Sequence, residues 1–275
     1  MRIGVVILPE QRWAEAQGVW KRAEELGFAH AWTYDHLAWR SLRDSPWYSA
    51  FPVLTAAAGV TSTIRLGPLV ASPNFRHPVS FAREIISLDD VSAGRLTLGI
   101  GSGGEGWDAS ILGQEPWSRR ERADRFEDFV SLTDKLLRER EVTSSDGFYV
   151  ANGARTYPGC VQHPRVPFAV AGTGPRSIRL AVKYGDIWVT TGGDLRAQIA
   201  RLEEACQTAG RDATSLDRLV LTGPELEPGL SSPDAFDDTV GQYAELGFTD
   251  LVVHWPRAEP PYAGDPATFE RIFSR

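Results

Sequence analysis

Eight times along the chain an apolar, often β-branched run gives way to a stretch with helical spacing of its apolar residues. The runs cover residues 2–8, 30–35, 64–71, 96–101, 167–171, 186–191, 218–222 and 250–255. The stretches that follow cover 14–26, 49–60, 79–88, 119–138, 176–184, 197–208, 233–246 and 266–273. Strands that alternate with helices pack as a parallel sheet, because each helix carries the chain back over one face. Eight such units within 275 residues favour an α/β fold of the (β/α)8 (TIM) barrel type over an open doubly wound sheet. A single domain over 1–275 is expected. Residues 147–157 fit no unit and read as an insertion or hairpin after the fourth strand. In 119–138, Phe126, Phe129, Leu132 and Leu136 form the expected buried stripe of an amphipathic helix. Gly67-Pro68 breaks the third strand, and since proline cannot donate to a ladder, a local bulge is expected there.

Composition narrows the partners. The net charge is −7 and no run of Lys or Arg stands out, so the clustered positive field that nucleic acid requires is missing. A membrane surface is disfavoured on the same ground. No apolar stretch is long enough to span a bilayer. The chain enters its first strand at Arg2 without a basic, apolar and small-residue leader, which predicts a cytoplasmic protein. Cys160 and Cys206 are far apart and lack metal-ligand spacing, so two free thiols and no metal are expected.

In a barrel of this kind functional groups come from the carboxyl ends of strands and the loops after them. The second strand ends on Asp35-His36, an acid next to the side chain whose ordinary pKa lies nearest neutrality. A carboxylate there can set the histidine's tautomer; a strand-end cap beside a hydrogen-bonded histidine is the structural alternative. Gly101-Ser102-Gly103-Gly104 follows the fourth strand, Gly172-Thr173-Gly174-Pro175 the fifth, and Thr191-Gly192-Gly193 the sixth. Glycine lets backbone N–H groups approach a ligand, and a following helix offers its positive end to an anion. The fifth-strand loop, with Arg176 and Ser177, thus fits a phosphate cradle, although such a loop also serves as a plain turn. Arg76 is expected to bond loop carbonyls, and Glu105 and Asp108 read equally as solvated charges or helix caps. Trp39, Trp47, Tyr48 and Trp107 lie on loops at the same end and suggest a flat apolar ligand or a lid of packed rings.

Three motifs together carry a resemblance over nearly the whole chain. They are Trp32-Thr33-Tyr34-Asp35-His36, Pro73-Asn74-Phe75-Arg76-His77-Pro78 and the run from Leu88-Asp89-Asp90 to Gly101-Ser102-Gly103. With them the chain resembles the bacterial luciferase-like flavin oxidoreductases, and especially the branch that uses the deazaflavin coenzyme F420. The resemblance implies a (β/α)8 barrel with an insertion, a small-molecule substrate and a homodimer. It places Asp35 at the ring edge and His36 beside it as acid or base. A bulge at Leu69-Val70, in this family often a non-prolyl cis peptide, backs the ring, with Ser72 touching it or its side chain. Ser102, Gly103, Thr173, Gly174, Arg176 and Ser177 hold the phosphate and its linker, flanked by Thr191 and Gly192.

The resemblance makes Trp39 a pocket wall, and Trp47 and Trp107 are expected with it over the substrate. Related dehydrogenases carry a catalytic Glu directly after the Gly-Ser/Thr-Gly of the fourth strand. Here Gly104 holds that place and Glu105 follows, which leaves His36 to move the proton with Glu105 as helper. The implied chemistry is hydride transfer between the deazaflavin and a small apolar or polycyclic substrate. An FMN-dependent monooxygenase using oxygen is the alternative within the same resemblance, and a barrel that binds without catalysis is the alternative outside it.

Overall fold

The computed structural model describes residues 1–104 and 107–274. All eight expected strands form, and they are parallel: β1 (Arg2–Val6), β2 (His30–Thr33), β3 (Arg65–Pro68) and β4 (Leu98–Ile100), then β7 (Phe168–Ala171), β8 (Ile187–Thr190), β9 (Asp217–Leu221) and β10 (Asp250–His254). Their order is β3-β2-β1-β10-β9-β8-β7-β4. The two end strands meet through bridges at Leu66–Leu96 and Ala71–Ile100, with Ala71 N donating to Gly99 O at 2.8 Å and Gly101 N to Ala71 O at 2.9 Å. That closes the barrel. The seam is broken into bridges where Pro68 has no N–H and where the Leu69–Val70 peptide is cis. Gly67 and Gly99 are required at this seam. A Cβ on the first would collide with the Thr97 carbonyl and the Trp32 ring, and one on the second with the Pro68 carbonyl.

The helices are α1 (Trp13–Glu25), α2 (Ala50–Ala58), α3 (Pro78–Val91), α4 (Trp107–Ile111), α5 (Arg119–Arg138), α6 (Pro175–Tyr184), α7 (Leu195–Ala209), α8 (Pro233–Glu245) and α9 (Pro266–Phe273). α5 buries the expected stripe, Phe126, Phe129, Leu132 and Leu136, each at most 2% exposed. Each such side chain contributes about 1.5–3 kcal/mol of transfer free energy. The hairpin is displaced from the expected 147–157: β5 (Glu141–Ser144) pairs antiparallel with β6 (Ala151–Arg155). Half-exposed polar strands such as Glu-Val-Thr-Ser carry too weak an apolar alternation to be read locally. The short helix α4, inside the glycine-rich segment after β4, has no counterpart in the expected elements.

Two apolar layers result. One fills the space between strands and outer helices and holds Trp20, Leu54, Phe81, Phe129 and Phe168. The other fills the barrel interior and includes Val6, Trp32, Leu69, Ala169, Val189, Leu219 and Val252. Tyr34, Trp39 and Leu42, with Trp47 and Tyr262 packed on them, extend this inner layer toward the carboxyl ends of the strands.

Candidate active site

The chain leaves β2 at Thr33, and the next residues turn across the carboxyl ends of the strands. Trp47 Nε1 donates to His36 O at 2.9 Å and pins this turn. His36 itself is one-sided. Its Nδ1 lies 2.9 Å from Asp108 Oδ2, while Nε2 has no partner among the described residues and the side chain is 24% exposed. Asp108, 1% exposed, also accepts from Leu37 N at 2.8 Å and from the Asn74 side chain. Burial works to raise its pKa, but the bonds from His36, Leu37 and Asn74 outweigh that and hold it below the usual carboxylate range. An ionised carboxylate only accepts, so His36 Nδ1 carries the hydrogen and Nε2 is the nitrogen that can take or give a proton.

Asp35, expected as the partner of His36 and as a contact for a bound ring, is placed otherwise. It is 2% exposed, and its two oxygens accept from Arg76 Nε at 2.6 Å and Nη2 at 2.8 Å. Arg76 also reaches Glu84 at 2.6 Å and lies over Phe51, Phe75 and Phe81, in place of the loop carbonyls expected for it. The adjacent carboxylate thus braces the loop, and the carboxylate that meets the imidazole comes from α4, 72 residues on. Asp108 was open between a solvated charge and a cap; burial and three donors make it neither.

Around the pair, Leu69-Val70 lies at the seam with Leu69 buried and Val70 half-buried. Ser72 does not open into the mouth: it is 1% exposed and its Oγ accepts from Asn74 N at 3.4 Å. Gly103 has φ +69, and a Cβ there would strike the Asn74 side chain, so glycine keeps the bridge from Asn74 to Asp108 in place. Ser102 is half-buried beside it. Glu105 lies outside the described residues.

At the next loop, Thr173 is exposed and Gly174 precedes α6, whose first turn has Pro175 and no side-chain cap. Ser177 Oγ donates to Gly174 O at 3.0 Å. The Arg176 guanidinium, expected to face a phosphate, is drawn to α5 instead, 2.6 Å from Asp124 and 3.0 Å from Glu127. Only its backbone N–H remains with the loop. Thr191 is exposed and Gly192 buried, with Gly192 O accepting from Gln198 Nε2 at 2.7 Å. The helix that follows, α7, is already capped by Asp194, which accepts from Ala197 N at 3.0 Å. The open helix end in this region is therefore that of α6.

Trp39, 8% exposed, stacks on Trp47 at 6.3 Å between ring centroids and 11° between planes. Tyr262 also stacks on Trp39, at 6.0 Å. Trp107 stands apart from this stack, 41% exposed and covered by Arg43 at 4.2 Å. Tyr262 and His254 stand in no motif, and Tyr34, inside the Trp32–His36 motif, was given no role by it. Only their positions near the ends of the second and last strands could have flagged them.

The family model of the luciferase-like monooxygenases matches residues 1–224. The F420-dependent hydroxymycolic acid dehydrogenase of Mycobacterium tuberculosis is 32% identical over 222 residues, covering 78% of this chain; the chain spans 60% of that protein's length. The F420-dependent glucose-6-phosphate dehydrogenase of Beutenbergia cavernae is 29% identical, with 86% of each chain covered. Among solved structures, an F420-dependent secondary alcohol dehydrogenase in complex with an F420-acetone adduct superposes with a TM-score of 0.83 at 19% identity, covering 99% of this chain and 97% of that one. At that identity the likeness establishes the barrel.

Proposed function

Since the chain belongs to the luciferase-like monooxygenase family, we propose that it is an oxidoreductase that binds the deazaflavin coenzyme F420 at the barrel mouth and moves a hydride between it and a small organic substrate. The observation that carries this is the one-sided His36–Asp108 pair at the carboxyl end of the barrel. The hydroxymycolic acid and glucose-6-phosphate dehydrogenases, both F420-dependent, support the choice of coenzyme.

The residues present fit such a group. Leu69-Val70 and the barrel interior offer an apolar back wall, Ser102 and Gly103 line its edge, and the uncapped first turn of α6 offers backbone donors at Arg176 and Ser177 to a phosphate. Thr173 and Gly174 begin that turn, and Thr191 and Gly192 flank it. A bound deazaflavin supplies a hydride acceptor or donor. Everything else falls to the chain. Asp108 holds the imidazole by Nδ1, so His36 presents Nε2 to the mouth as proton donor or acceptor. Asp35, locked by Arg76, acts through the loop it braces. Trp39 and Trp47 wall the space where an apolar or polycyclic substrate stacks and keep water from it.

Parallel titrations with coenzyme F420 and FMN, followed by cofactor fluorescence, test the coenzyme. Tight binding of the deazaflavin alone is expected, and selective FMN binding would move the protein to the oxygen-using monooxygenases. His36→Ala should lower kcat by about a hundredfold or more with little change in coenzyme affinity. An equal loss in both would remove His36 from the chemistry.

A further inference from the structure

Next to Trp39 the inner wall contains three polar groups that the mechanism above leaves unused. The Tyr34 hydroxyl lies 2.7 Å from His254 Nε2 and 3.2 Å from the Tyr262 hydroxyl. Tyr34 and His254 are each 6% exposed, whereas Tyr262 is half-buried. They come from three places, the end of β2, the end of β10 and the loop after it. His254 lies flat against Tyr262, ring centroids 3.4 Å apart and 6° between planes. It has no carboxylate partner among the described residues. Burial alone lowers its pKa to about 3, so it stays neutral and holds one hydrogen and one lone pair.

The loop that carries Tyr262 is built to hold it. Arg257 grips the Glu10 carboxylate with two bonds of 2.8 Å and donates to the carbonyls of Glu259 and Pro261, also at 2.8 Å. Tyr262 itself sits at φ +67, a left-handed conformation that side chains adopt only where the surroundings enforce it. Its ring is thereby fixed between His254 and Trp39.

We propose that Tyr262 is the hydrogen-bonding partner of an oxygen atom on the substrate, held in that role by Tyr34 and His254, so that the site selects molecules with a carbonyl or hydroxyl on an apolar body. The proposal rests on the mouth being the substrate site. Physically, a chain of two hydroxyls and a neutral imidazole has one end buried in His254 and the other at Tyr262. With His254 Nε2 unprotonated, Tyr34 donates to it, Tyr262 donates to Tyr34, and the Tyr262 oxygen offers a lone pair. With the hydrogen on Nε2 both bonds reverse and Tyr262 offers its O–H. The same wall therefore accommodates a donor or an acceptor, which suits the alcohol and carbonyl forms that a hydride transfer interconverts. Beside the Trp39 and Trp47 rings, an oriented hydroxyl discriminates against analogues that leave it unpaired.

The test uses cyclohexanone and methylenecyclohexane, which differ by a carbonyl oxygen against a CH2, titrated without coenzyme and followed by NMR through the indole N–H signals of Trp39 and Trp47. The wild-type protein is expected to prefer the ketone. Tyr262→Phe and Tyr34→Phe, which keep both rings, should each weaken ketone binding about fivefold and leave the hydrocarbon unchanged. Equal change for both probes, no change for either, or a wild-type protein without preference would overturn the proposal. Absence of F420 binding in the separate fluorescence titration would remove the coenzyme from the proposed function and leave the ketone result standing.

Discussion

Two histidine–carboxylate pairs lie at opposite ends of the same barrel, and their surroundings give them different work. At the amino ends of the strands, His30 Nε2 is 2.9 Å from Asp250 Oδ1 and its Nδ1 accepts from Trp32 Nε1 at 2.6 Å. Asp250 also accepts from Arg2 at 2.7 and 2.6 Å and from Thr249 at 2.6 Å. Every polar atom of that imidazole is spoken for. At the carboxyl ends, His36 is held by one nitrogen only and shows the other to the mouth. The residue pair is the same; what separates a structural clasp from a proton carrier is whether the second ring nitrogen already has a partner.

The largest expected effect breaks the closed pair. Asp250→Ala leaves His30 with a buried N–H lacking an acceptor and Arg2 with Asp217 as its remaining carboxylate, and should lower unfolding free energy by about 3 kcal/mol in urea titrations. The pH dependence follows from the same group. Burial would raise the Asp250 carboxyl, yet the bonds from His30, Arg2 and Thr249 hold it far below its ordinary value. A carboxyl depressed in the native state stabilises it above the unfolded pKa and loses that contribution as the pH falls. Acid unfolding should therefore steepen below about pH 4, and Asp250→Asn should flatten that limb.

The next effect concerns the open pair. In Asp108→Asn one carbonyl oxygen must serve both the Leu37 N–H and the His36 Nδ1–H. If Leu37 keeps it, the amide NH2 faces Nδ1 and the hydrogen moves to Nε2, inverting what His36 presents. A loss in kcat of about a hundredfold, roughly 2.7 kcal/mol of barrier, is expected with coenzyme affinity retained. Imidazole nitrogen NMR shifts report the tautomer directly; an unchanged tautomer with unchanged kcat would put His36 in the same structural class as His30. The smallest effect sharpens the contrast within the mouth. Trp107→Ala should change stability by less than about 0.5 kcal/mol and substrate affinity less than Trp39→Ala does, because Trp107 is exposed outside the ring stack.

The pattern of apolar residues determined the barrel. Periods of two and of roughly four residues are local properties, so β1 to β10 apart from the hairpin, and the buried face of α5, could be read without knowing what each would touch. The irregular seam was legible as well, because Gly67-Pro68 states locally that a ladder cannot continue, and the cis peptide falls two bonds on, at Leu69–Val70. His36 stood out because an ionisable group at the end of a parallel strand has a direction. Its partner did not. Asp35 and His36 lie past the end of β2, where no strand alternation sets which way each side chain turns; Asp35 meets Arg76, and the carboxylate that fixes the imidazole arrives from a short helix 72 residues away. Arg176 and Ser72 went the same way, one to α5 and one into the loop interior, since a side chain's partner is decided by burial and by which charges the packed helices bring within reach. Tyr34, Tyr262 and His254 share no motif and no spacing; only closure of the barrel, which sets β2 two strands from β10, places their polar atoms in one chain.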